Sequence, residues 1–192
     1  MDLEQFVKDA VRTESIIDEV KTNRAMFMNI AKVFMLSGQM LDLYKKNIFY
    51  KRPVKCDVLV DNFREITEAM TTISQQFKSA SYLENDDVID TNPRLFHSIV
   101  GVATEAVELV EQLHKSIEND EQIDVVNLLE ESFDSNWYFA TMHDELDASM
   151  ENTLNRGIEK LRKRYPEKFT NDAANNRKLD EEREILNKMV KE

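Results

Sequence analysis

Apolar residues recur three and four positions apart along most of the chain, which is the spacing of one helix face. The first such stretch begins at Phe6 and strengthens toward Tyr44. It predicts helix throughout residues 2–48. Pro53 is expected to close this segment, because proline lacks the backbone donor that a continuing helix needs.

The same period predicts further helices downstream of Pro53. They cover residues 55–79, 92 to about 117, roughly 123–150 with the helix continuing through 151–164, and 178–189. Asn92 and Pro93 form a typical helix start, with Asn92 as the N-cap. Tyr165-Pro166 should end the helix that covers residues 151–164. Residues 79–92 are predicted to be a polar linker.

Composition supports an all-α fold. With 3 glycines and 3 prolines in 192 residues, a turn-rich β fold is disfavoured. We predict a helical bundle with an N-terminal helical extension (1–80), a core (91–170) and a polar helical tail (171–192). Gly101 lies inside a predicted helix, where glycine costs stability. This position predicts close approach by a ligand or a neighbouring helix.

Charge narrows the classes of partner. The formal net charge is −12, which argues against binding a nucleic-acid backbone or an anionic membrane surface. No apolar run approaches the length that spans a bilayer, and the N-terminus does not resemble a signal peptide. A single cysteine, Cys56, cannot form an internal disulfide, so we expect a reducing compartment such as the cytoplasm.

Two acidic clusters carry the candidate chemistry. Glu105 and Glu108 lie three residues apart, as do Glu131 and Asp134, so each pair would share one helix face. Carboxylate oxygens are the ligands that Mg²⁺ prefers. Two facing helices of this kind would form a site for Mg²⁺ and a nucleoside triphosphate. The alternative is a pair of ordinary solvated acidic faces.

Two other features bear on this site. Asn127 and Tyr138 share the face of the second acidic cluster, a mixed composition that weakly favours a binding site. Arg156, Lys160 and Arg164 form a basic face in an otherwise acidic chain. That face is suited to phosphate groups, or alternatively it pairs with carboxylates elsewhere in the chain. A base-stacking role is considered for Tyr138 and for Trp137, although core packing is favoured for Trp137.

The order GVATEAVELVEQL, LLEESFDSNWYFA and KLRKRYPEKF resembles the all-α nucleoside triphosphate pyrophosphohydrolases of the MazG-like group. The resemblance covers about residues 92–170. The segments RTES and LDLYKKNIFYKRP are similar to the N-terminal extension of phage-encoded members. Val107 and Ser132-Phe133 depart from the glycine-containing pattern of the family, which affects the expectation about substrate choice.

The resemblance implies an enzyme that cleaves a nucleoside triphosphate, often a deoxynucleotide, to the monophosphate and pyrophosphate, and so adjusts a nucleotide pool. Glu105, Glu108, Glu131 and Asp134 would hold Mg²⁺, with Mn²⁺ as the alternative ion. Either Glu105 or Glu108 would accept a proton from the attacking water. Lys160 and Arg164 would lie near the phosphates, and Asn155 is the nearest candidate for a family asparagine.

The resemblance also implies pairing of the motif helices into a homodimer or a dimer of dimers, and the long apolar stripes agree with that. A phage-encoded member would act in the host cytoplasm. Two other functions remain open. The chain could be a non-catalytic helical protein that binds a nucleotide or a partner, or it could hydrolyse another phosphoanhydride, such as an alarmone.

Overall fold

The computed structural model describes residues 2–78 and 87–190, and within them the fold is all-α, as predicted. The helices are α1 (Leu3–Val11), α2 (Arg24–Tyr50), α3 (Cys56–Phe77), α4 (Pro93–Asn119), α5 (Val125–Glu145), α6 (Met150–Arg164), α7 (Asn171–Asn175) and α8 (Leu179–Asn187). Two short strands, β1 (Val20–Thr22) and β2 (Asp87–Ile89), pair with each other. Most of the predicted linker, residues 79–86, lies outside the described residues. No helix in the described ranges has the length and apolar character needed to cross a membrane.

Several helix ends follow the sequence prediction. The side chain of Asn92 caps α4 by accepting from the backbone N–H of Leu95 at 3.0 Å, and Pro93 is the first helical residue. Helix α6 ends at Arg164, directly before Tyr165-Pro166. These ends are local features, because capping depends on the residues of a single turn.

The prediction of continuous helix over residues 2–48 was wrong. Helix α1 ends at Val11, and α2 starts only at Arg24 after strand β1. The Thr13 hydroxyl donates to the carbonyl of Ala10, and Asn23 accepts from the N–H of Met26. Short polar side chains of this kind compete with the helical hydrogen bonds and so favour helix ends.

The helix predicted from about residue 123 through 164 is also interrupted. Helix α5 ends at Glu145 and α6 starts at Met150. Between them Asp147 has a positive φ of 46°, and Ser149 caps α6 through the N–H of Asn152. The apolar period continues across this turn, which is why periodicity alone did not detect it.

The chain forms two compact units, which cut across the predicted segments. The first contains residues 1–20, 91–166 and 178–192, and the second contains residues 21–90 and 167–177. The N-terminal helix and the tail helix α8 therefore belong with the predicted core. Helix α7 belongs with α2 and α3.

In the first unit, α4 and α5 run antiparallel, with α1 packed on α5 and α8 packed on α6. The α4–α5 interface is built from small side chains. Ser98 and Thr141 are buried and share a hydrogen bond of 2.8 Å, while Ala140 is fully buried beside them. Small side chains allow two helix backbones to approach closely, and this brings the polar faces of α4 and α5 together.

The second unit is an α2–α3 hairpin with α7 and the two-stranded sheet. Few of its apolar side chains are buried, namely Met26, Leu36, Ala69 and Ala174. Asn62 is also buried, and its amide donates to the carbonyl of Leu36 at 3.5 Å. Lys32 and Glu65 form an ion pair of 2.9 Å across the hairpin.

Candidate metal centre

Three carboxylates meet at the α4–α5 interface. Glu105 from α4 and Glu131 and Asp134 from α5 each offer an oxygen, and these oxygens lie within 4.8 Å of one another. Glu105 is 8% exposed and Glu131 is 6% exposed, while Asp134 is half-buried. The three-residue spacing places Glu131 and Asp134 on the same face of α5, as predicted.

Gly101 is the position that lets α5 approach α4 one turn before Glu105. A Cβ atom at residue 101 would overlap the aromatic ring of Tyr138. The expected close approach by a neighbouring helix is therefore confirmed, and the neighbour is α5. Tyr138 in turn packs edge-to-face against His97 and Trp137, with ring centroids 5.4 Å and 4.9 Å away.

A chain of side-chain amides orients Glu131. The amide of Gln112 on α4 donates to Asn127 on α5, and the amide of Asn127 donates to Glu131. Each helix contributes one amide, so this contact also fixes the register of the two helices. The sequence showed both amides near the acidic clusters, but it did not predict their contact. The available signal was their position, Gln112 two turns after Glu105 and Asn127 one turn before Glu131.

The electrostatics of the cluster are unfavourable for carboxylates alone. Burial raises the pKa of Glu105, and the charge of Glu108 and a hydrogen bond with Glu131 raise it further. Burial and the charges of Glu105, Asp134 and Glu108 also raise the pKa of Tyr138. Like charges held together out of water favour the protonated acid unless a cation is present.

The donor set fits a hard divalent cation. It consists of carboxylate oxygens, which Mg²⁺ and Mn²⁺ prefer to nitrogen or sulfur ligands. Within the part of the chain that the structure describes, no Lys or Arg forms an ion pair with any of the three carboxylates. A buried group of acids with no basic partner is the environment that a bound cation would stabilise.

Glu108 stands apart from the other three predicted ligands. Its side chain is exposed, and its oxygens are not among those that converge within 4.8 Å. It is still close enough for its charge to raise the pKa of Glu105. The structure therefore brings together three of the four predicted ligands and places the fourth at the edge of the site.

The predicted phosphate-binding residues lie on α6, where two of them already have partners. Arg164 forms a bidentate ion pair with the buried Glu182 of α8, with N–O distances of 2.8 Å and 2.5 Å. Arg156 pairs with Glu159 at 2.7 Å. These contacts agree with the alternative that the basic face pairs with carboxylates of the chain.

The other two α6 candidates differ from this pair. Lys160 is half-buried and forms no ion pair among the described residues, and Asn155 is exposed. Of the four side chains proposed for phosphate binding, Lys160 is the cation least committed to the chain itself.

The aromatic candidate Trp137 has a structural contact. Its indole N–H donates to the carbonyl of Ala10 and to the hydroxyl of Thr13, at 3.1 Å and 2.9 Å. These bonds attach the end of α1 to α5. Trp137 is half-buried, so it packs between α1 and α5 rather than within a fully buried core.

No family model, curated protein or solved structure matches the chain. The resemblance to the MazG-like group therefore stays a prediction from the motifs.

Proposed function

We propose that the protein is an Mg²⁺-dependent nucleoside triphosphate pyrophosphohydrolase, with Mn²⁺ as the alternative ion. It would convert a ribo- or deoxynucleoside triphosphate to the monophosphate and pyrophosphate and so adjust a nucleotide pool in the cytoplasm. The observation that carries the proposal is the convergence of Glu105, Glu131 and Asp134 within 4.8 Å. This cluster lies in the order of motifs that resembles the MazG-like group.

In this proposal Glu105, Glu131 and Asp134 hold the metal, and Glu108 completes or adjoins the ligand set. The metal, when bound, neutralises phosphate charge and orients a water for attack on the α-phosphorus. The amide of Asn127 holds Glu131 in place through its hydrogen bond. Such outer contacts orient ligands and influence metal affinity.

Glu108 is the better candidate for accepting the proton of the attacking water. It is exposed and lies outside the converging set, whereas Glu105 is buried within that set. A carboxylate that is not fully engaged in ligation can act as a general base. Glu105 would then serve as a ligand rather than as the base.

Substrate contacts are proposed for Lys160 first, because its ammonium has no ion-pair partner among the described residues. Asn155 and Arg156 lie on the same helix. Tyr138 lies near Glu105 and Asp134, whose charges raise the pKa of its phenol, and the phenol O–H can donate a hydrogen bond. Arg164 is a weaker candidate than Lys160, because two of its guanidinium nitrogens already donate to Glu182.

The proposal includes pairing of two copies through the motif helices. Apolar side chains remain exposed on α4 and α5, and they include Val110, Leu113, Ile117, Val126 and Leu129. Such a surface on a single protomer is typical of an oligomer interface. The metal-binding helices would then form the centre of a homodimer or of a dimer of dimers.

The first test is a panel of ribo- and deoxynucleoside triphosphates, assayed with and without Mg²⁺, with products separated by chromatography. We expect metal-dependent release of monophosphate and pyrophosphate. Release of orthophosphate, or turnover of an alarmone alone, would indicate a different phosphoanhydride hydrolase. No turnover with either Mg²⁺ or Mn²⁺ would favour a binding function without catalysis.

A matched pair of variants tests the site itself. Glu131→Gln removes one converging carboxylate, and Glu130→Gln removes the exposed neighbouring one. We expect Glu131→Gln to lower kcat/KM by at least about 10²-fold, the order found when one preorganised electrostatic group is removed. Glu130→Gln should retain near-native activity. Equal activity in the two variants would rule out the proposed site.

A further inference from the structure

The α2–α3 hairpin carries an apolar stripe on each helix that the hairpin itself does not bury. On α2 the stripe is Ile30, Phe34, Ser37, Leu41, Tyr44 and Ile48, and on α3 it is Val60, Phe63, Thr67, Met70 and Ser74. The eight large apolar members range from 42% exposed at Phe34 to 64% exposed at Val60. We call these eleven residues the hairpin face.

The spacing of the hairpin face is that of helix bundles. Its members alternate three and four residues apart on both helices, which is the repeat of knobs-into-holes packing. Each stripe lies roughly a third of a turn away from the side that contacts the other helix, given 3.6 residues per turn. Because α2 and α3 are antiparallel, both stripes lie on the same side of the hairpin.

The hairpin face is also free of charge. None of its eleven positions is Asp, Glu, Lys or Arg, although the two helices carry such residues elsewhere, as at Lys32 and Glu65. The Thr67 hydroxyl already donates to the carbonyl of Phe63 at 2.8 Å. Burying this face would therefore leave no charge unpaired in a chain whose net charge is −12.

We propose that the hairpin face pairs with the same face of a second copy to form a four-helix bundle, separate from any pairing of α4 and α5. The exposed part of the eight apolar side chains amounts to about 800 Å², which is what one partner of a standard interface buries. A four-helix bundle requires a second layer of two helices with the same repeat. The α2–α3 hairpin of a second copy provides that layer. The two hairpin faces are identical and uncharged, so they do not repel each other.

The test is the mass of the full chain in solution, measured by light scattering after size exclusion. Leu41 lies on the hairpin face and is 57% exposed. Met35 lies on the same helix but outside the hairpin face, and it is 56% exposed, so it provides the control. We expect Leu41→Glu to halve the native mass and Met35→Glu to leave it unchanged. The halving is expected whether the native assembly is a dimer or a tetramer.

Circular dichroism at 222 nm will show whether each variant keeps its helix content. If Leu41→Glu loses helix, Tyr44→Glu replaces it, because Tyr44 is 62% exposed on the same face. A monomeric native chain at all concentrations would overturn the proposal, whether the face then binds a different protein or none. Equal masses for the native chain and both face variants would overturn it as well.

Discussion

At the residue scale, Glu105 has the least favourable environment in the proposed site. It is buried, and neighbouring carboxylates raise its pKa. Without a cation, the folded state must either keep this acid protonated or bear the repulsion. The same arrangement becomes favourable when a divalent ion is bound. Removing the charge of Glu105 should therefore stabilise the metal-free protein and weaken metal binding.

We therefore predict that Glu105→Gln stabilises the metal-free protein by about 1 kcal/mol, a typical size for one substitution. The amide keeps the shape of the acid and removes one of the clustered charges. The variant should also lose the rise in Tm that Mg²⁺ gives the native protein. Thermal unfolding with EDTA and with Mg²⁺ measures both effects, and a lower Tm in EDTA would contradict the first.

Gly101 permits a second prediction at the same scale. A Cβ at this position would overlap the ring of Tyr138, so Gly101→Ala should destabilise the protein by roughly 1–3 kcal/mol, as overpacking does. It should also weaken metal binding by separating α4 from α5. Urea unfolding and Mn²⁺ titration provide the two measurements.

Gly157 in α6 supplies the control for that substitution. Nothing lies within 4 Å of a Cβ built at Gly157, so Gly157→Ala should instead stabilise the helix by roughly 0.5–1 kcal/mol. Similar losses at the two positions would show that helix propensity, rather than contact with Tyr138, determines the effect.

At the scale of elements, a buried ion pair joins α8 to α6. The surface pair of Lys163 with Glu181, and the amide of Asn152 donating to the carbonyls of Lys188 and Met189, add to this attachment. Glu182 is 3% exposed and accepts hydrogen bonds from Nε and Nη2 of Arg164. Removing one partner of a buried pair leaves the other charge uncompensated, which costs about 3–5 kcal/mol. We expect Glu182→Gln to lower the free energy of unfolding by this order and to speed amide exchange in α8.

The neighbouring pair offers a comparison. Glu181 pairs with Lys163 at 3.0 Å on the surface, and exposed pairs contribute about 0–1 kcal/mol. Glu181→Gln should therefore have little effect on urea unfolding. If Glu182→Gln instead leaves stability unchanged but reduces nucleotide turnover, Arg164 would have a substrate role rather than a structural one.

A second connection between elements should depend on pH. Arg94 at the start of α4 pairs with Glu14, Asp144 and Glu145. Hydrogen bonds from Asn92 and Arg94 hold the pKa of Glu145 below its ordinary value of 4.5. A depressed pKa means that the folded state binds fewer protons, so the stabilisation is present above pH 4.5 and is lost as the pH falls through the depressed pKa.

Thermal unfolding between about pH 3 and pH 6 measures this dependence, given reference carboxylate values near 4. Glu145→Gln should reduce Tm near pH 6 and flatten the fall of Tm toward acid pH. An unchanged slope in this variant would show that other carboxylates account for the acid sensitivity.

At the scale of the whole molecule, ligand binding should appear as added stability of the first unit. A ligand that binds only the folded state stabilises it by about 2.7 kcal/mol at a concentration of 100 Kd. We expect Mg²⁺ or Mn²⁺ to raise Tm in proportion to the logarithm of its concentration. NaCl at matched ionic strength should not, and an equal effect of the two salts would exclude specific metal binding.

Features that depend on near neighbours along the chain could be predicted before the fold was known. The helical spacing of apolar residues and the scarcity of glycine and proline were enough to predict the all-α fold. The pair Asn92-Pro93 was enough to predict where α4 starts. Spacing was likewise enough to place Glu131 and Asp134 on one face of α5. Each of these properties is decided within one or two helical turns.

Which helix faces meet became visible in the folded chain alone. The fold brought Glu105 to Glu131 and Asp134 and left Glu108 at the edge, because the helix register depends on contacts such as Ser98 with Thr141. It also directed Arg164 to a carboxylate on α8. The apolar spacing did not reveal the helix ends at Val11 and Glu145. Local polar side chains end the helices there, while the apolar residues keep their helical spacing across the breaks. Contacts between residues far apart in the chain leave no regular spacing that the sequence could reveal.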